Sequence, residues 1–178
     1  MTPPPKTVYI IVGPKGSGKT HVGTMLDREL GLRFLSVEPL VLKNLNVSSL
    51  TGDDLEREGF LLEEQAIDTM LMSHDAVSFE ATGSSRFFPE TLERLREKYT
   101  VRLIRLRCPL DTCAARVAHR DPTNHIPVSD ERLRDINHRA NAVELDWDLE
   151  IDNAAPASDE SIIAQFRALL RLDNPADG

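Results

Sequence analysis

Val8-Tyr9-Ile10-Ile11-Val12 runs directly into Gly13-Pro14-Lys15-Gly16-Ser17-Gly18-Lys19-Thr20, an apolar β-prone stretch followed by a glycine-rich turn that ends on Lys-Thr. The apolar run shows no polar alternation, so it reads as a strand buried on both faces. The eight residues after it fit G-x-x-x-x-G-K-[ST] without a mismatch. Glycines in such a turn let backbone N–H groups curl around phosphate oxygens with no Cβ in the way. Lys19 can reach the β- and γ-phosphates of a nucleoside triphosphate, and the Thr20 hydroxyl can bind Mg2+. A helical pattern begins at Lys19 and stops at Gly31, so the turn opens on a helix N-terminus that adds positive potential. The loop from Gly13 to Thr20, with the adjoining His21, is therefore the candidate site for ATP and Mg2+.

Working outward, Arg33-Phe34-Leu35-Ser36-Val37 reads as a second strand, and Thr51 to Ser73 carries a long helical pattern that Thr51 or Asp53 can cap. Ala76 to Glu80 is a third strand. A helix from Pro89 to Lys98 precedes a strand over 101–106, and Asp111 to His119 is helical. Residues 121–127 form a Pro- and Asn-containing loop before a helix from Ser129 to about Val143. A weak strand over 149–151 and an amphipathic helix from Ser158 to about Leu172 end the pattern. Five short strands alternating with helices predict an α/β domain with a parallel sheet covered on both faces.

The 178 residues suit one such domain, expected to span 1–178, and 40% apolar content with 28% charge reads as globular. Only the polyproline leader Met1–Pro5 and the polar tail from Asp173 to Gly178 read as loose ends. A formal net charge of −8 repels a phosphate backbone over most of the surface, which argues against a nucleic-acid partner. Cys108 and Cys113 sit in no metal or disulfide pattern and read as small core residues. No apolar run is long enough to span a bilayer and no signal-peptide pattern opens the chain, so the expectation is a cytoplasmic monomer or homodimer without a membrane partner.

The extra Gly16, giving G-x-x-G-x-G-K-T, resembles the shikimate kinase, gluconate kinase and adenylate kinase group. That resemblance implies a three-layer P-loop NTPase fold with strand order 2-3-1-4-5 and a short lid, here about 116–128. In the group an R-x-x-x-R pair borders the lid, and Arg116 and Arg120 match it. By that analogy Arg116 lies over the adenine and Arg120 meets the transferring phosphate. An i,i+4 pair on a helix would point both guanidiniums the same way, and planar donors suit a transferring phosphoryl group. Arg139 falls where related kinases place a further arginine for substrate or γ-phosphate, with Arg132 and Arg134 close by. Asn153 lies where the group contacts adenine.

Phe34-Leu35-Ser36-Val37-Glu38 resembles the shikimate kinase F-I-D-T-D segment, whose second acid falls on Glu38 and whose metal-supporting first acid falls on Ser36. Glu38 is thus the candidate for orienting the acceptor hydroxyl and taking its proton. Glu80, at the end of its strand, is the substitute metal or water ligand, and the two acids could exchange roles. The family's substrate-binding arginine in F-R-x-x-E aligns with Leu61, and its glycine trio is reduced to Thr82-Gly83-Ser84-Ser85. Gly83 and Ser84, with Glu38 and Arg139, are candidate acceptor contacts. His125 in the lid loop could touch substrate, although a lone loop histidine is more often exposed. The resemblance implies transfer of the γ-phosphoryl of Mg-ATP to a hydroxyl of a small molecule, and the missing arginine at Leu61 argues against shikimate as that acceptor. The alternatives are a kinase of a nucleotide or nucleic-acid 5′ end, and an ATP-binding regulator with little transfer activity.

Overall fold

A computed structural model describes residues 6–155 and 157–173; the polyproline leader and the tail beyond Asp173 lie outside the described residues. The buried apolar run becomes β1 (Thr7–Val12), the central strand of a sheet in the order β2-β3-β1-β4-β5. The other strands are β2 (Arg33–Leu35), β3 (Ala76–Ala81), β4 (Thr100–Arg107) and β5 (Leu149–Asp152), and every pairing is parallel. Ile10 stands opposite Phe79 on one side and Leu103 on the other.

Both faces of β1 are buried because helices cover both sides of the sheet. Tyr9 and Ile11 pack with Val22, Met25 and Leu26 of α1 (Lys19–Leu30) and with Phe166 of α7 (Asp159–Asp173). Val8, Ile10 and Val12 face the opposite layer, where Ile67 and Leu71 of α3 (Gly52–Leu71) meet Leu92 and Leu95 of α4 (Phe88–Lys98). Neighbouring residues of one strand thus serve two separate cores, which is why the run had to be apolar throughout. Truncating a side chain such as Ile10 to alanine would cost about 2–5 kcal/mol.

The expected strand 33–37 is shorter than the sequence suggested. It ends at Leu35, and a helix the sequence reading lacked, α2 (Val37–Asn44), starts straight after Ser36. Pro39 conceals this helix, yet it stands in the first turn, where no N–H is needed for an intrahelical bond. Thr51, rather than Asp53, caps α3, accepting a hydrogen bond from the Asp54 N–H. The remaining elements are α5 (Leu110–Ala118), a single 3-10 turn over Pro122–Asn124, and α6 (Asp130–Asn141), which Ser129 caps through the Arg132 N–H. Among the described residues, no helix is long and apolar enough to cross a membrane.

Candidate active site

The turn between β1 and α1 is held in shape by glycines with positive φ. Gly16 has φ 87° and Gly18 has φ 99°, values that L side chains rarely adopt. Ser17 is buried, and its carbonyl accepts a hydrogen bond from Asn153 Nδ2 at 2.8 Å. Lys19 is buried beneath the loop, donating to the carbonyls of Gly13 at 2.9 Å and Pro14 at 2.8 Å. Burial pushes its ammonium pKa down to about 8, partly offset by the charge of Glu80. An anionic phosphate reaching the loop would favour the charged form again.

Thr20, first turn of α1, donates from Oγ1 to Glu80 Oε2 at 2.8 Å. Glu80 is in place because β3 pairs with β1 in a register that sets it opposite Ile11. A hydroxyl and a carboxylate at this separation fit Mg2+, which takes hard oxygen ligands and completes its shell with water and phosphate rather than a protein cage. The described residues contain no group of three or more His, Cys, Asp or Glu able to hold a metal by themselves.

Glu38, in the first turn of α2, joins three parts of the site. Its Oε1 pairs with Lys15 of the loop, while Oε2 contacts His125 Nδ1 at 2.8 Å and accepts from the Ile126 N–H at 3.1 Å. Burial works to raise its pKa, but the Lys15 ammonium and the hydrogen bonds from Lys15 and His125 hold it below the usual carboxylate range. The segment between α5 and α6 is thereby tied across the phosphate-binding loop. His125, read from sequence as exposed, is half-buried in that tie.

These groups surround a cavity of about 1020 Å³. Lys15, Lys19, Thr20, Glu80, Arg116 and Arg120 all line it, and so do Glu38 and Ser84. Arg116 reaches the Gly16 and Ser17 carbonyls at 3.5 and 3.4 Å and the Asn153 carbonyl at 3.3 Å. Arg120 does not share its helix, because α5 ends at Ala118, short of Asp121-Pro122. The chain continues in a tight turn, with Arg120 N–H donating to the Val117 carbonyl, and both arginines still face the same cavity.

Several sequence candidates lie outside the cavity. Arg139 pairs with Asp135 at 2.8 Å and donates to the Ser84 carbonyl at 3.0 Å, so it braces the 82–85 segment from behind. Gly83, with φ 72°, turns that segment but does not line the cavity. Asn153 is buried under the loop, its Oδ1 accepting from the Ala157 N–H and its Nδ2 donating to the Ser17 carbonyl, and it does not line the cavity. His21 points outward to Asp159 at 3.0 Å.

A family model described as shikimate kinase matches residues 15–170. The chain belongs to the shikimate kinase family. A shikimate kinase of Ruegeria pomeroyi is 28% identical over 127 residues, 71% of this chain and 64% of that protein. One from Chlorobium chlorochromatii is 26% identical over 116 residues, 64% of this chain and 60% of that protein. The chain thus spans under two thirds of the length of these curated relatives. Among solved structures, a sugar kinase from Janibacter sp. HTCC2649 has the same fold, with TM-score 0.66, 21% identity and 95% coverage of both chains.

This shikimate kinase family member has site residues that sequence reasoning missed. Asn137 of α6, 3% exposed, binds both backbone groups of Lys15. Glu63 of α3 lines the cavity while 6% exposed, and its Oε2 has no hydrogen-bond partner among the described residues. Burial, with the charges of Glu80 and Glu64, pushes its pKa up to about 8. Helical spacing hid Glu63 among surface acids; only its neighbour Glu64 matches the family's F-R-x-x-E pattern. Leu61, in place of that pattern's arginine, is 42% exposed and absent from the cavity wall.

Proposed function

We propose that this protein is an ATP-dependent phosphotransferase that moves the γ-phosphoryl group of Mg-ATP to a hydroxyl of a small molecule in the cytoplasm. The observation that carries this reading is the convergence in one cavity of Lys19, Thr20, Glu80, Arg116 and Arg120 with Glu38 beside them. The loop N–H groups and Lys19 hold the β- and γ-phosphates once Lys19 exchanges its two loop carbonyls for phosphate oxygens. Thr20 and Glu80 supply oxygen ligands for Mg2+, which when bound neutralises charge on those phosphates. Arg120, near enough to Glu38 to lower its pKa, presents a planar donor to the transferring group.

In the reaction the acceptor oxygen forms a bond to the γ-phosphorus as the bond to the ADP oxygen breaks, and the hydroxyl proton leaves. Glu38 orients the acceptor hydroxyl and receives that proton. Its depressed pKa makes it a weak base, which suits a transfer whose proton leaves late. The tie from Glu38 to Ile126 draws the 119–129 segment over the site, and exclusion of water there limits wasteful hydrolysis.

The test is ADP production with Mg-ATP, alone and with sugars, polyols, hydroxy acids and nucleosides, using Lys19→Ala as the blank. Acceptor-stimulated turnover that disappears in Lys19→Ala is the expected result. Failure of the intact protein to bind ATP overturns the proposal, and tight ATP binding without stimulation by any acceptor replaces it with a regulatory role.

A further inference from the structure

The cavity is chemically divided. Its loop side gathers Lys15, Lys19, Arg116 and Arg120, the cations that a triphosphate requires. The remaining wall, built by α2, α3, Thr82, Ser84, Ser85 and α6, carries three acidic side chains, Glu38, Glu56 and Glu63, but a single cation, Arg132. That cation is already engaged: Arg132 Nη2 donates to Glu56 Oε1 at 3.1 Å, and Nη1 lies 3.8 Å from Asp135. The second oxygen of Glu56 accepts from the Ser85 hydroxyl at 2.6 Å, so the pair is fixed from three elements. Between these groups the wall is apolar, with Val37, Val41, Leu55, Phe60 and Ile136 facing the space.

We propose that the acceptor carries no net negative charge: it is a neutral polyol or an amino alcohol with an apolar flank, not a hydroxy acid or sugar phosphate. This rests on the phosphotransferase reading. An anionic acceptor desolvated here needs a cation of its own, because its lost hydration must be replaced by a partner. Arg132 is neutralised by Glu56, and Lys15 by Glu38. The loop-side cations are needed by the nucleotide. A carboxylate would find no free positive charge on this wall, only the paired Glu38 and Glu56 and the buried Glu63, so nothing would replace its lost hydration. A hydroxyl both donates and accepts, and an ammonium donates, so either can pair with the acids of this wall. The apolar side chains then take the carbon face of the molecule, as in most small-ligand sites.

The experiment compares matched compounds on the intact protein: shikimate with methyl shikimate, gluconate with glucitol, and glucuronate with glucosamine. Binding is measured by titration calorimetry on the complex with Mg2+ and a non-hydrolysable ATP analogue, and kcat/KM by ADP release. The uncharged or cationic partner is expected to bind at least about tenfold more tightly in each pair that binds. In Glu56→Gln, Arg132 is released, and the preference is expected to move about tenfold toward the acids. Equal or tighter binding of the acids, or no binding by either member of any pair, overturns the inference. Turnover that favours acids overturns it while leaving the phosphotransferase reading intact. Discrimination in binding with no acceptor-dependent ADP release overturns the phosphotransferase reading alone.

Discussion

Asn137 holds both ends of one residue in the phosphate-binding loop: its Oδ1 accepts from the Lys15 N–H at 2.8 Å, and its Nδ2 donates to the Lys15 carbonyl at 3.0 Å. The residues are 122 positions apart in the chain. Through this pair α6 sets the shape of a loop that belongs to the other half of the sequence. Removing the amide leaves two backbone groups in a largely buried place without partners, at a cost of about 1–3 kcal/mol. Asn137→Ala should therefore raise KM for ATP about tenfold and lower the melting temperature. An unchanged KM in steady-state assays would show that the loop keeps its shape unaided.

Thr20 and Glu80, 2.8 Å apart, should depend on each other through the metal. Thr20→Val and Glu80→Gln are each expected to raise the half-saturating Mg2+ concentration about tenfold or more. Thr20→Ser, which keeps the oxygen, should stay close to wild type. A Mg2+ titration in which Glu80→Gln superimposes on wild type would remove Glu80 from the metal site.

Glu38 gives a prediction in acid. Its pKa lies below the ordinary 4.5, so the folded state binds fewer protons than the unfolded chain in the window just beneath that value. The stability it contributes is fully present above pH 4.5 and is lost as pH falls through the lower folded value. Glu38→Gln should be less stable than wild type by about 1–2 kcal/mol at neutral pH, a fall of about 2–8 °C. Thermal melts from pH 3 to 8 should show that gap closing on the acid side. A gap independent of pH would argue that the glutamine merely packs badly.

Glu63 runs with the opposite sign. Its pKa is raised from 4.5 to about 8, so the folded state holds a proton that the unfolded chain has released across that interval. Its influence on stability is favourable at low pH and is lost progressively as pH rises from about 4.5 to about 8. Glu63→Gln, which cannot ionise, should match wild type near pH 4 and exceed it by at least about 1 kcal/mol at pH 8.5, about 2–4 °C. Parallel melting curves across that range would place an unseen partner against the carboxylate.

The sequence by itself determined the centre of this protein. An unbroken apolar run followed by Gly13 to Thr20 has essentially one solution, a buried strand, a phosphate-cradling turn and a helix, because each property is local to the residues that carry it. Strand alternation was legible for the same reason, whereas the one-helix reading of Arg116 and Arg120 failed because α5 ends at Ala118 before Asp121-Pro122. Tertiary structure alone decided which distant side chains met that turn. Glu38 became a tie to Lys15 and Ile126 because α2 begins directly after a shortened strand, behind a proline that reads as a break. Arg139 left the cavity and Asn137 entered the loop although they are two residues apart, since a helix rotates such neighbours onto different faces. Glu56 neutralised Arg132 only because α3 and α6 approach each other, and the charge left available to an acceptor is a property of that approach rather than of either segment.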